Sequence, residues 1–255
     1  MTYFQAGLLA FVQGLTEFFP VSSSGHLVLI QNLFKLKSPP VLFDILIHVG
    51  TLGAVIIFFK KDIKKLFIGV ISGKAEEKKF FTLLFLGSIP AGLAGFFLNK
   101  NTEALFSSSK MVGFSLLLTS LLLFLTKALE VKRIKSISKL DAFIIGVFQA
   151  LAIIPGISRS GSTIAAGIFR GIDRKAAFRF SFLLSIPAII GALLLQIPQI
   201  VYGKSLFSSQ GFLGMIISFF VGFFSLKILG ELVVKSKLWI FGFYCLFLGL
   251  FVLIF

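Results

Sequence analysis

Three long, mostly apolar runs, residues 41–59, 80–98 and 111–126, most constrain what this chain can fold into. Each is long enough to approach or cross a hydrocarbon core of about 30 Å. A soluble domain of 255 residues would carry shorter, periodic apolar runs and more charge than the 14% found here. With 57% hydrophobic residues and a mean hydropathy of +1.02, the chain reads as an all-α polytopic membrane protein.

Six segments read as transmembrane helices: about 41–60, 80–99, 111–129, 176–198, 211–234 and 238–255. Residues 3–34 and 141–171 behave differently. Each is apolar at its start, breaks at Pro and Ser/Gly, and resumes apolar character for only about ten residues. Neither half can span. These segments read as two re-entrant helix-loop-helix hairpins, and a break at that depth is tolerated only inside protein or beside a water-filled cavity.

The hairpins resemble each other. A shift of 136 residues lays Gln13-Gly14-Leu15 on Gln149-Ala150-Leu151 and Ser22-Ser23-Ser24-Gly25-His26 on Ser158-Arg159-Ser160-Gly161-Ser162. One hairpin and three spans then make each half. Because three is odd, the second half lies upside down relative to the first. The expectation is a single membrane domain, 1–255, built as an inverted-topology repeat of about 3–129 and 141–255, with its site near the midplane.

Charge supports a direction. Of 25 Lys and Arg, 19 fall in 60–79, 127–140, 170–179 and 227–237, all on one side of the threaded chain. Positive loops stay cytoplasmic, so both termini and the mouth of the first hairpin face outward. A net charge of +15 here marks loops meeting anionic lipid, not a nucleic-acid face, because no soluble domain remains to carry one. The single Cys245 lies in the last apolar run and excludes a disulfide framework within the chain. Residues 1–30 lack a basic leader and a small-residue cleavage site, so they are expected in the mature protein.

Ionisable residues inside apolar stretches cost several kcal/mol and default to functional candidates. They are Glu17, His26 and Arg159, with Asp44 and His48 at the start of the first span. Gln13 and Glu17, four apart, share one helical face. Ser22, Ser23, Ser24 and Gly25 lead into a helix near His26, and Ser158, Arg159, Ser160 and Thr163 repeat the device. Such loops aim backbone N–H groups and the positive end of a helix dipole at one spot, which suits an anion. Arg adds a planar fork that matches phosphate. Together these make a pocket for a phosphate or diphosphate, with Glu17 and His26 for proton transfer or nucleophile activation. Blander roles compete: Ser22 and Ser24 as helix caps, Glu17–Arg159 as a structural ion pair, His26 as a packed histidine.

Two motifs, residues 13–17 followed by the Pro-Val-Ser-Ser-Ser-Gly-His run ending at His26, and residues 155–163, make the chain resemble the undecaprenyl-diphosphate phosphatases, or bacitracin-resistance proteins. The resemblance covers essentially the whole length. It implies hydrolysis of undecaprenyl diphosphate to the monophosphate plus inorganic phosphate in the bacterial plasma membrane, recycling the lipid carrier of cell-wall synthesis. Glu17, His26 and Arg159 are the implied essential side chains, with Ser23 as nucleophile or phosphate ligand. Bacitracin would compete only by sequestering the lipid substrate. A homodimer and a divalent cation such as Mg or Ca are also implied, with Glu17 and Asp44 as candidate ligands. Gln13 departs from the Glu of well-known members and removes one charge from a cation clamp. A transporter or flippase of the lipid phosphate is the rival reading, since broken helices in inverted repeats also build carriers. A channel lacks any ring-forming polar motif.

Overall fold

The computed structural model describes residues 1–36, 41–98, 108–128, 136–202 and 208–255. Every regular element among them is a helix. The first hairpin is α1 (Tyr3–Thr16) and α2 (Ser23–Leu33), followed by α3 (Val41–Phe58), α4 (Lys60–Ile71), α5 (Ala75–Leu98) and α6 (Ser109–Ala128). The second is α7 (Lys139–Leu151) and α8 (Arg159–Phe169), followed by α9 (Arg174–Tyr202), α10 (Ser209–Val234) and α11 (Ile240–Ile254).

Among the described residues, four helices are long and apolar enough to cross a membrane: α5, α6, α9 and α10. A fifth candidate is α3 joined to α4, bent by 72°. The other expected span, 238–255, contains α11, whose 15 residues rise about 22 Å. The chain is therefore an all-helical, multi-pass membrane protein. The basic segment 127–140 lies partly outside the described residues, which omit 129–135.

The stretch 60–79, expected as a basic loop, is mostly helix. Lys60, Lys61, Lys64 and Lys65 crowd the first half of α4, while Phe67, Ile68 and Ile71 in the second half stand exposed. Charge density does not oppose helix formation, because Lys, Leu and Ile are adequate helix formers. The helix ends where Gly73 takes φ +77°. There Lys74 N–H donates to the Gly69 carbonyl and Gly73 N–H to Val70, a Schellman cap. Arg179 Nε then ties α9 to Asp62 of α4 at 2.7 Å.

Each hairpin leans on a distant span: α1 packs along α10, and α7 along α5. The spans α3 and α9 pack against α10 and α5 respectively, and α6 pairs with α11. Exchanging α1 for α7, α3 for α9 and α5 for α10 reproduces these neighbours. Small residues permit the approach. A Cβ on Gly14 would lie 2.8 Å from Val221 Cβ and 2.9 Å from the Ser218 carbonyl oxygen of α10. Gly146 of α7 meets the Gly87 carbonyl of α5 in the same way. Phe18, Phe180 and Phe182 are all fully buried: Phe182 of α9 meets Phe18 of the first break edge-on at 5.7 Å, and Phe180 meets Phe80 of α5 at 5.9 Å.

Candidate active site

The hairpin breaks follow from local chemistry. Helix α1 runs on through the cap residue Glu17, and then Pro20 helps to end it, because proline disfavours helix in the residue before it. Helix α2 restarts at Ser22, whose Oγ accepts the Gly25 N–H at 3.3 Å. In the second hairpin Ser158 Oγ accepts the Gly161 N–H at 3.1 Å. Ser24 Oγ lies 3.3 Å from Ser22 Oγ, and Ser160 Oγ 3.2 Å from Ser158 Oγ. The capping role weighed for Ser22 is realised.

Ser22 also joins the loops, because its Oγ accepts the Gly156 N–H at 3.0 Å. It does so at φ +68°, a conformation a non-glycine residue holds only at a cost of about 1–3 kcal/mol. Replacing Ser22 by alanine keeps that strain and leaves two buried N–H groups unpaired, a penalty of about 1–3 kcal/mol each. A clear drop in thermal midpoint in detergent is the expected result.

Opposite it, Gly156 takes φ +97°. A Cβ there would lie 2.5 Å from the Val112 carbonyl oxygen and 2.6 Å from Ser115 Cβ. Gly156→Ala should therefore destabilise by about 2 kcal/mol or more, read as a lower midpoint and a lower yield of folded protein.

With the loops joined, Glu17 becomes the hub. Its Oε2 accepts from Ser23 Oγ at 2.6 Å and from Gln13 Nε2 at 3.2 Å, while its Oε1 accepts from Arg159 Nη2 at 2.7 Å. The Glu17 and Arg159 side chains are 9% and 15% exposed, so the pair is screened little by solvent. The Arg159 guanidinium also lies over the Phe182 ring, 5.5 Å from its centroid. Among the described residues, two polar atoms here are buried without a partner: Arg159 Nη1 and Gln13 Oε1. An arginine that spends one nitrogen on Glu17 and leaves another free is poised to take an anionic oxygen.

Gln13, Glu17, Ser23 and Arg159 thus meet, whereas other expected members lie apart or are already committed. His26 turns from Glu17: its Nδ1 lies 2.8 Å from the Ser22 carbonyl oxygen and its Nε2 2.7 Å from the Tyr244 hydroxyl. The Thr163 hydroxyl donates to the Arg159 carbonyl at 2.8 Å and lies 2.6 Å from Ser181 Oγ. Asp44 accepts from Gln31 Nε2 at 3.1 Å on both oxygens, and His48 Nδ1 lies 2.7 Å from the Asp44 carbonyl oxygen.

The donor set does not fit a resident divalent cation. Both Glu17 oxygens already hold protein donors, one a guanidinium, and Asp44 is engaged by Gln31. Among the described residues no group of three or more His, Cys, Asp or Glu gathers as a metal site.

Tyr244 was not singled out from the sequence. It is an aromatic residue in an apolar run, and only its hydroxyl distinguished it from neighbouring phenylalanines.

A multi-pass helical membrane protein that holds a buried hydroxyl–carboxylate–guanidinium centre between two broken helices is the class defined by this fold and site. Residues 6–251 match the family described as bacitracin resistance protein BacA, and the chain belongs to that family. It is 43% identical to an undecaprenyl-diphosphatase of Desulfosudis oleivorans, over 96% of this chain and 95% of that protein. It is 40% identical to one of Methanococcus vannielii, over 96% and 97%, and 40% identical to one of Halothermothrix orenii, over 100% and 98%.

Proposed function

We propose that this chain hydrolyses undecaprenyl diphosphate to undecaprenyl phosphate and inorganic phosphate. The observation that carries the reading is the Glu17 carboxylate, held by Ser23 on one oxygen and Arg159 on the other. A carboxylate 2.6 Å from a hydroxyl can take its proton. A guanidinium on the far side supplies positive charge for phosphoryl oxygens. The relatives named as undecaprenyl-diphosphatases support the same chemistry.

In this scheme Arg159 and the N–H groups opening α2 and α8 bind the terminal phosphoryl group. Ser23 Oγ attacks its phosphorus and gives its proton to Glu17. The bond from phosphorus to the bridging oxygen breaks, and that oxygen leaves on undecaprenyl phosphate, taking the proton from Glu17. Water then attacks the phosphoserine, Glu17 accepts the water's proton, and its return to Ser23 Oγ frees inorganic phosphate. His26, one turn along α2 from Ser23, is the remaining proton-transfer group.

Loop charge supports a mouth on the outer face of the plasma membrane, with both termini on that side. The exchange pattern of the helices supports an inverted repeat of 3–129 and 141–255. The polyprenyl tail then stays among lipid while the headgroup enters. Recycling the carrier in this way would confer resistance to bacitracin, which removes the same lipid.

Release of inorganic phosphate from a prenyl diphosphate by the purified protein in detergent, with and without chelator, tests the reading. Release without a second compartment separates hydrolysis from lipid transport. A protein that binds the lipid but releases no phosphate under either condition sinks the enzyme assignment.

A further inference from the structure

We propose that Tyr244 is a positioning residue for His26, holding its imidazole ring in one orientation through a hydrogen bond to Nε2. The inference deepens the phosphatase reading and rests on it for its kinetic consequence only. Its geometric part stands alone.

His26 is 7% exposed and Tyr244 48% exposed. The tyrosine therefore stands between a buried imidazole and the surroundings. Their rings lie 9° from parallel with centroids 5.6 Å apart, and the Tyr244 hydroxyl is 2.7 Å from His26 Nε2. On the other side of the ring, Nδ1 lies 2.8 Å from the Ser22 carbonyl oxygen. A carbonyl only accepts, so Nδ1 must carry a proton. In the neutral ring Nε2 is then the acceptor and Tyr244 O–H the donor. Both nitrogens are satisfied, so rotating the ring breaks two hydrogen bonds.

The chain on either side of Tyr244 is tied to neighbouring elements. Ser120 Oγ donates to the Gly242 carbonyl at 2.8 Å. Phe124 meets Phe243 edge-on at 4.9 Å. The adjacent Cys245 Sγ reaches the Pro20 carbonyl oxygen of the first break at 3.6 Å. The pair α6 and α11 thus delivers the hydroxyl to a set position beside α2. Neither hairpin motif encodes this contact; it joins residues 218 apart in the chain.

A proton-transfer group displaced by about 1 Å can cost about 10²-fold in rate. Tyr244→Phe keeps the ring and removes the hydroxyl. It should lower kcat about tenfold or more, with KM within about twofold and a thermal midpoint only slightly lower, because Nε2 loses its donor. Tyr244→Leu removes the ring as well and should lower both kcat and the midpoint.

The chain has two histidines, so selective ¹⁵N labelling gives two imidazoles, and His48→Gln identifies the His26 pair. In the full-length protein in detergent, His26 should show a protonated Nδ1 and a hydrogen-bonded Nε2. Tyr244→Phe should move the Nε2 resonance and leave Nδ1 protonated. An unmoved Nε2 resonance, or an unchanged kcat in an active preparation, overturns the proposal. If the unmodified protein releases no phosphate while the resonance still moves, the phosphatase reading fails and the Tyr244–His26 pairing stands.

Discussion

Arg159→Ala should lower phosphate release by about 10³-fold or more, the largest loss expected from any single binding group. One nitrogen of its fork donates to Glu17 Oε1 at 2.7 Å, and Nη1 is buried with no partner among the described residues. The first contact holds the base and the second is free for the phosphoryl oxygens. Arg159→Lys keeps the charge but loses the fork, so it should recover only a small part of the rate. Truncation also leaves a buried carboxylate without its cation, which costs about 3–5 kcal/mol. Pairing Arg159→Ala with Glu17→Gln should therefore restore most of the thermal midpoint and none of the activity. Kinetics and melting curves on the four proteins separate the two effects. Near wild-type hydrolysis by Arg159→Ala would remove the arginine from the mechanism.

Ser23→Ala carries the second large effect, a loss on the order of 10⁴-fold. Ser23 opens α2, and its Oγ donates to Glu17 Oε2 at 2.6 Å. Alanine is compatible with that position in the helix, so the thermal midpoint should fall little. Acid quenching of the wild type during turnover with a substrate labelled in its terminal phosphate should trap label on Ser23. Glu17→Gln should slow its appearance, because the proton of the hydroxyl then has no base to receive it. A Ser23→Ala protein that keeps more than about a tenth of the rate would transfer the attack to water. Glu17 would still be the base in that case.

Much of this site is readable in the chain because its parts are local. Gln13 and Glu17 meet at i and i+4 on one helix, and each serine cap bonds the amide three residues on. The meeting of Glu17 with Arg159 needed the resemblance between hairpins, which put both breaks at one depth. What stayed hidden depends on packing between distant elements. His26 shares a motif with Glu17, yet its ring turns toward α11 because Tyr244 offers a hydroxyl there. Thr163 lies in the second motif, yet Ser181 of α9 takes its hydroxyl. The helix α4 was obscured by its lysines, which mark a membrane surface equally well as a loop or as a helix. Asp44 was legible as a buried charge, but its partner Gln31 was not, since 13 residues separate them and they sit on different helices.

The distance along the chain between Glu17 and Arg159, 142 residues, has a consequence during synthesis. At about 5–20 residues per second, the ribosome makes the carboxylate roughly seven to thirty seconds before its guanidinium. For that interval the first hairpin has only Ser23 and Gln13 to satisfy Glu17. The Gly156 amide that will cap Ser22 is also still unmade. The hairpin therefore cannot reach its final burial until the second hairpin emerges. Insertion of the amino-terminal half is provisional, and the late arrival of residues 155–163 locks both halves at once.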